Sequence, residues 1–112
     1  MKLIAAIIQP HKLDEVKSAL VSLGDIAMTS TEVSGFGRQK GHLEIYRGTE
    51  YVIDFVRKIK LEIVCRDDQY DSIIHVISET ARSGKIGDGK IFIQNISNAY
   101  RIRTAETGDR AL

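Results

Sequence analysis

The chain is poor in the residues that mark special chemistry: one cysteine, one proline and no tryptophan among 112 residues. A single cysteine, Cys65, excludes an intrachain disulfide and suits a reducing cytosol. No apolar run approaches the length of a membrane helix. The opening MKLIAAIIQPHKLDE breaks at Gln9-Pro10, too early for a signal-peptide core followed by a cleavage site. The formal net charge of +1 lacks the basic bias of a dedicated nucleic-acid binder, so any anion site must come from local clustering. Aromatics are 6% and do not gather on strand centres, as an RNA-binding sheet requires. These absences predict a cytoplasmic protein without membrane insertion or a nucleic-acid partner.

What is present is ordinary for a globular domain: 43% hydrophobic and 28% charged residues. Residues 1–112 are one domain's worth of chain. That length builds one core and leaves little apolar surface for a deep private active site, so association would help by burying more.

Leu3 to Ile8 reads as a buried strand. From Lys12 to Leu23 the period changes: Leu13, Val16, Leu20 and Leu23 share one helical face, with Pro10 as start signal and Gly24 as stop. Ile26 to Val33 is rich in β-formers. Ile59, Leu61, Ile63 and Cys65 alternate with Lys58, Lys60, Glu62 and Val64, so one row faces a core and the other a partly charged face. Asp67-Asp68 supplies N-cap chemistry for a second helix, whose face is Ile73, Ile74, Ile77 and Ala81 and whose stop is Gly84. Ile91 to Ile96 is a further strand, and Tyr100 to Thr104 a short fifth with Arg101 and Arg103 on one side. The order predicts an α+β, ferredoxin-like βαββαβ domain: an antiparallel sheet, both helices on one face, the other face polar or shared with another subunit. Between the second and third strands, Phe36 to Lys58 stays ambiguous. Its stretch EIYRGTEYVIDF is strand-like but broken by Arg47-Gly48-Thr49-Glu50.

Two features suit an anion. In GKIGDGK, Gly84 to Lys90, glycines let backbone N–H groups converge and lysines add charge. The loop follows a helix and precedes a strand, so it is not a Walker loop; a C-cap glycine with a tight turn is the alternative. Arg101 and Arg103, at strand spacing, can fork onto phosphate oxygens or line a solvated edge. His11, His42 and His75 share no metal-binding spacing, and His75 falls on a helix surface. Cys65 reads as a core thiol. No nucleophile–base pair stands out, so the chain is not expected to be an enzyme. A small ferredoxin-like phosphotransferase or ATPase is the alternative.

TEVSGFGRQKGH (Thr31 to His42), YRGTEY (Tyr46 to Tyr51), SGKIGDGKIFI (Ser83 to Ile93) and the closing RIRTAETGDRAL together resemble the PII nitrogen-regulatory signal transduction proteins, over essentially the whole chain. The resemblance implies a homotrimer binding ATP or ADP in clefts between subunits, with 2-oxoglutarate beside ATP through Mg²⁺. It makes residues 36–58 the projecting T-loop and 104–112 the C-terminal tail. Gly87, Asp88, Gly89 and Lys90 match the phosphate-binding loop. Arg101 and Arg103 match phosphate-contacting arginines offered by a neighbouring subunit. Thr29, Glu62 and Val64 match positions around the adenine, and Gly35, Gly37 and Arg38 the cleft at the T-loop base. Gln39 matches the residue that completes the Mg²⁺ shell, a hard-oxygen site needing few protein ligands. Lys58 matches the lysine that pairs with the distal carboxylate of 2-oxoglutarate, with Lys40, Gly41 and Gly87 around that ligand.

Tyr51 matches the tyrosine uridylylated in many bacterial members, which would make a nucleotidylyltransferase a partner and this chain its substrate. The alternative is an unmodified Tyr51 that contacts partners with Tyr46, Arg47 and Glu50. An ammonium transporter or a nitrogen-metabolism enzyme is the kind of target implied. Two departures stand out. Thr49 replaces the usual Ala or Ser and reads as a solvated loop residue. Arg57 replaces a common Pro, freeing the backbone and adding a cation beside Lys58.

Overall fold

A computed structural model describes residues 1–37, 42–46, 49–53 and 55–112, the side chains of 42–46 and 49–53 excepted. Strand β1 (Lys2–Ile8) leads through a 3₁₀ turn, Pro10–Lys12, into helix α1 (Leu13–Val21). Strand β2 (Thr29–Gly35) follows, then a hairpin of β3 (His42–Tyr46) and β4 (Thr49–Ile53). Strand β5 (Val56–Cys65), helix α2 (Tyr70–Ala81) and strand β6 (Lys90–Asn95) complete the domain. The main sheet has the order β2-β5-β1-β6, and each neighbouring pair is antiparallel, as the ferredoxin-like reading requires.

The core lies between the helices and one face of this sheet. Ile4, Ala6 and Ile8 from β1 and Ile59, Leu61, Ile63 and Cys65 from β5 meet Val16, Leu20, Ile73, Ile77 and Ala81 from the helices. The period-two rows of β1 and β5 face each other across the ladder, Ile4 opposite Ile63 and Ala6 opposite Leu61. Each fully buried Ile or Leu contributes about 1.5–3 kcal/mol of transfer free energy. The opposite sheet face presents Leu3, Ala5 and Ile7 beside Val64, Glu62 and Lys60, half-buried, with Phe92 of β6 exposed. It is a mixed surface, more apolar than its charged residues alone imply.

Several expectations change. Tyr100–Thr104 is not a fifth strand: Tyr100 makes one bridge to Thr107, and residues 102–104 form a turn. The chain doubles back here, with Ala105 N–H donating to the Arg101 carbonyl and Arg101 N–H to that of Glu106. A two-residue period in so short a stretch does not survive that closure. Asp67 and Asp68 do not cap α2. Asp67 takes the Met1 amino group at 2.7 Å and Asp68 takes Arg66 Nε at 3.1 Å. The residue before α2 is Gln69, whose own side chain accepts from Arg66 N–H instead of capping the helix. α2 ends at the extended Arg82, two residues before Gly84. Leu23 lies beyond the end of α1 and is 45% exposed.

The segment 36–58 holds more sheet than its sequence suggests. β5 begins at Val56, and β3 pairs with β4 in register, Glu44 opposite Tyr51 and Tyr46 opposite Thr49. That two-stranded sheet is separate from the main one. The molecule extends 58 Å along its longest axis, well beyond the ~33 Å reach of a ten-residue strand such as β5. At the base of the segment the exposed rings of Phe36 and Phe55 meet with centroids 6.0 Å apart, tilted by 55°.

Candidate functional site

The predicted site residues fall into two groups on this chain. The first surrounds Lys58. Among the described residues Lys58 is the charged side chain that the fold buries, at 8% exposure. Its Nζ donates to the Gly87 carbonyl at 2.6 Å. Burial lowers its pKa, and the negative charge of Asp88 offsets part of that. A Cβ on Gly35 would lie 3.6 Å from Lys58 Cγ, so the end of β2 packs directly on the lysine stem. One place thus gathers Gly35, Lys58 and the Gly87–Lys90 loop, which are far apart in sequence.

The loop after α2 has a definite internal architecture. The Asp88 carboxylate accepts the backbone N–H of Ser83 at 2.8 Å and of Gly84 at 2.9 Å through one oxygen, and the Ser83 hydroxyl through the other. Ser83 Oγ in turn accepts Lys85 N–H at 3.2 Å. Gly84, Gly87 and Gly89 have φ of +86°, +104° and +104°, the left-handed region that glycine tolerates. The Gly89 Cα passes so close to β1 that an added Cβ would fall 1.7 Å from the Ile7 carbonyl oxygen. The cradle reading of GKIGDGK therefore has a shaped loop behind it. Ser83 and Ile7, which close that loop, had escaped the sequence reading. The five-residue Ser-to-Asp spacing was the signal for Ser83; nothing local points to Ile7.

Asp88 titrates accordingly. The Ser83 hydroxyl, then the Ser83 and Gly84 amides, hold its carboxyl below the usual carboxylate range. A depressed folded-state pKa means that the unfolded chain binds the proton more readily. The contribution to stability is present above the ordinary carboxylate value and is lost as pH falls through the lowered one. Thermal melting is expected to be level from neutrality down to about pH 5 and to fall below about pH 4, with a smaller fall in Asp88→Asn. Identical acid profiles for the two proteins would contradict this.

The second group lines a cleft of about 720 Å³ at the other end of the sheet: Thr29, Glu62, Val64 and Arg101, with Met28 and Leu112. Thr29 and Glu62 are direct ladder partners. Arg101 is half-buried; its Nη2 donates to the Leu112 carbonyl at 2.7 Å, and its Nε is buried with no hydrogen-bond partner among the described residues. Arg103 is exposed in the adjoining turn, so the two arginines do not form the parallel fork that strand spacing implied. Glu62 stands four residues from Lys58 on β5, about 13 Å away. On one chain the Lys58 group and the Arg101 group are therefore separate, and Arg101 lines the same cleft as Thr29, Glu62 and Val64.

Arg57 does not add a cation beside Lys58. Neighbouring strand residues face opposite ways, and Arg57 reaches Glu32 instead, 3.5 Å away, both side chains exposed. Its backbone sits in the β2–β5 ladder opposite Ser34. Arg38, Gln39, Lys40, Gly41 and Arg47 lie outside the described residues, as do the side chains of Tyr46, Glu50 and Tyr51. Cys65 is buried and His75 exposed, as expected. No cluster of three metal-ligating side chains occurs among the described residues, and no helix among them is long and apolar enough to cross a membrane.

Comparison with known proteins adds an independent observation. A family model described as nitrogen regulatory protein P-II matches residues 1–106. The nitrogen regulatory protein P-II of Pasteurella multocida (strain Pm70) is 55% identical over 112 residues, the full length of both chains. The same identity and coverage hold for nitrogen regulatory protein P-II of Klebsiella oxytoca and nitrogen regulatory protein P-II 1 of Escherichia coli (strain K12).

Proposed function

The chain belongs to the nitrogen regulatory protein P-II family, and from that premise we propose that it is a cytoplasmic sensor, not a catalyst. It would bind ATP or ADP and 2-oxoglutarate and regulate nitrogen-metabolism targets through the segment 36–58. The observation that carries this reading is the convergence at Lys58. A buried ammonium, the end of β2 and a glycine-shaped loop meet where an anion with several oxygens can be held.

Two features support the fit of a nucleotide. Gly87 and Gly89 carry left-handed φ values in the loop beside Lys58, and Arg101, whose buried Nε has no hydrogen-bond partner among the described residues, lines the cleft with Thr29 and Glu62. The two half-sites lie apart on one chain, so a complete site is assembled when the Lys58 half of one subunit meets the Arg101 half of the next. A homotrimer closes that arrangement, since a head-to-tail contact forms a ring when its rotation closes. Gln39 would hold a Mg²⁺ ion, which would supply positive charge to the oxygens of the anionic ligands. Lys58 would hold the distal carboxylate, exchanging its Gly87 carbonyl for a charged acceptor. That shared charge would make the binding of each small molecule favour the other's. Gln39 lies at the root of the segment carrying Tyr46, Arg47, Glu50 and Tyr51, so recruiting it changes what that segment presents to a partner. Tyr51 is the position where a nucleotidylyltransferase would modify the chain, and an ammonium transporter or nitrogen-metabolism enzyme is the class of target.

Calorimetry tests the ligand assignment. In the presence of Mg-ATP, Lys58→Ala is expected to weaken 2-oxoglutarate binding by about 30-fold or more, the cost of leaving a buried charge partner unmet. Gln39→Glu is expected to weaken it too, by adding a negative charge to the ligand's surroundings. ATP alone should bind Gln39→Glu nearly as it binds wild type, and should lose less in Lys58→Ala than 2-oxoglutarate does, since β1 still holds the loop at Gly89. Unchanged 2-oxoglutarate affinity in both variants would sink the site, and a stable monomer by light scattering at micromolar concentration would remove the intersubunit cleft.

A further inference from the structure

We propose that Asp88 is a positioning residue of the phosphate loop, which shapes the loop from inside and makes no contact with phosphate. The inference rests on the nucleotide reading above for its consequence, and on the loop's own hydrogen bonds for its substance.

Sequence places Asp88 in the middle of a Gly/Lys anion loop, an awkward position for a carboxylate. A negative group facing a phosphate would repel it. The structure resolves the conflict. Both carboxylate oxygens are turned back toward the start of the loop, where they take three donors: the Ser83 and Gly84 amides and the Ser83 hydroxyl. Ser83 Oγ, held by that bond, takes the Lys85 amide. The amides of residues 83, 84 and 85 are thus turned inward, and they are not the ones that meet an anion.

That task falls to the second half of the loop, which Asp88 ties to the loop's start. The Gly87 carbonyl points at Lys58 Nζ. The following peptide is planar and trans, so the Asp88 N–H points away from the lysine. Gly89 then passes against the Ile7 carbonyl, and Lys90 joins the ladder opposite Ile7. Residue 88 is therefore anchored through its side chain to the loop's start, while its flanking glycines are pinned by Lys58 and by β1. Without the carboxylate, residues 83 and 84 lose their three hydrogen bonds to residue 88, and the left-handed Gly84 gives residues 83 to 86 conformational freedom.

Amide hydrogen exchange by NMR on the ligand-free protein, paired with ATP calorimetry, tests the role. In Asp88→Ala the Ser83 and Gly84 amides are expected to exchange on the order of 100-fold faster, for three lost hydrogen bonds. ATP affinity is expected to drop about tenfold or more. Unchanged exchange at Ile73 and Ile77 shows that α2 and the core remain folded. Asp88→Asn is the rescue. Its amide oxygen can accept both backbone N–H groups and its NH₂ can donate to Ser83 Oγ, so exchange and ATP affinity are expected to stay within about tenfold of wild type. Ser83 and Gly84 amides that exchange alike in wild type and Asp88→Ala overturn the proposal. So do Asp88→Ala and Asp88→Asn proteins that both bind ATP more tightly than wild type, since the carboxylate would then only repel phosphate. A wild-type protein that takes no ATP while Asp88 still protects those amides overturns the nucleotide reading and leaves the loop's ordering standing.

Discussion

Replacing Gly89 by alanine is expected to cost about 3 kcal/mol or more of stability and, at the proposed nucleotide site, to remove most of the affinity for ATP. Two effects add. The backbone at residue 89 has φ +104°, a conformation that a Cβ strains by itself. The new Cβ would also lie 1.7 Å from the Ile7 carbonyl oxygen and 2.8 Å from its carbon. Those atoms are backbone, part of a central strand paired on both sides, so no side-chain rotation relieves the contact. The loop must move off β1, and the Gly87 carbonyl moves off Lys58 with it. Gly84→Ala is the matched control. Its φ is +86°, but nothing lies within 4 Å of the added carbon, so only the conformational cost of about 1–2 kcal/mol applies. Thermal melts and ATP calorimetry on both variants decide the matter. A Gly89→Ala protein as stable as Gly84→Ala and binding ATP like wild type would mean that the loop does not rest on β1.

The second large effect is expected at the centre of the core. Leu61 is 1% exposed on β5, opposite Ala6 on one side and Ser30 on the other. Leu61→Ala leaves a cavity among strands that cannot close it without breaking ladder pairs. A loss of about 3 kcal/mol is expected, and a fall in melting temperature of roughly 10–20 °C. Val21→Ala, at 55% exposure on α1, removes apolar atoms that are already wet and is expected to cost under about 1 kcal/mol. Both are to be compared at one protein concentration, because any subunit association would add to apparent stability. Equal melting temperatures for the two variants would contradict the assigned core.

The contrast between these positions shows what was legible beforehand. The buried rows of β1 and β5 and the faces of α1 and α2 could be read from spacing, because backbone geometry alone fixes whether every second or every third-to-fourth residue points inward. Element ends were less legible. α1 stops at Val21 and α2 at Ala81, short of the glycines that looked like stop signals, because local hydrogen bonds close both helices earlier. The supposed strand at Tyr100–Thr104 failed for a related reason. A backward turn closed by Arg101 and Glu106 outweighs the intrinsic preference of a five-residue stretch.

At the site, the residue types were readable but not their partners. The glycines and lysines after α2 suit an anion loop or a tight turn by chemistry, and the whole-chain resemblance says which family has such a loop. The sequence by itself thus determined the fold class, the core rows, the family and the existence of a glycine-shaped loop. Only the tertiary structure decided that Asp88 faces into that loop, that Arg57 lies on the sheet face away from Lys58, and that Arg101 joins Thr29 and Glu62 instead of the loop. The reason is the range of the forces involved. Periodicity follows from dihedral angles shared by adjacent residues, whereas Lys58 with Gly87, or Ile7 with Gly89, meet only when a complete sheet and a packed helix bring distant segments together.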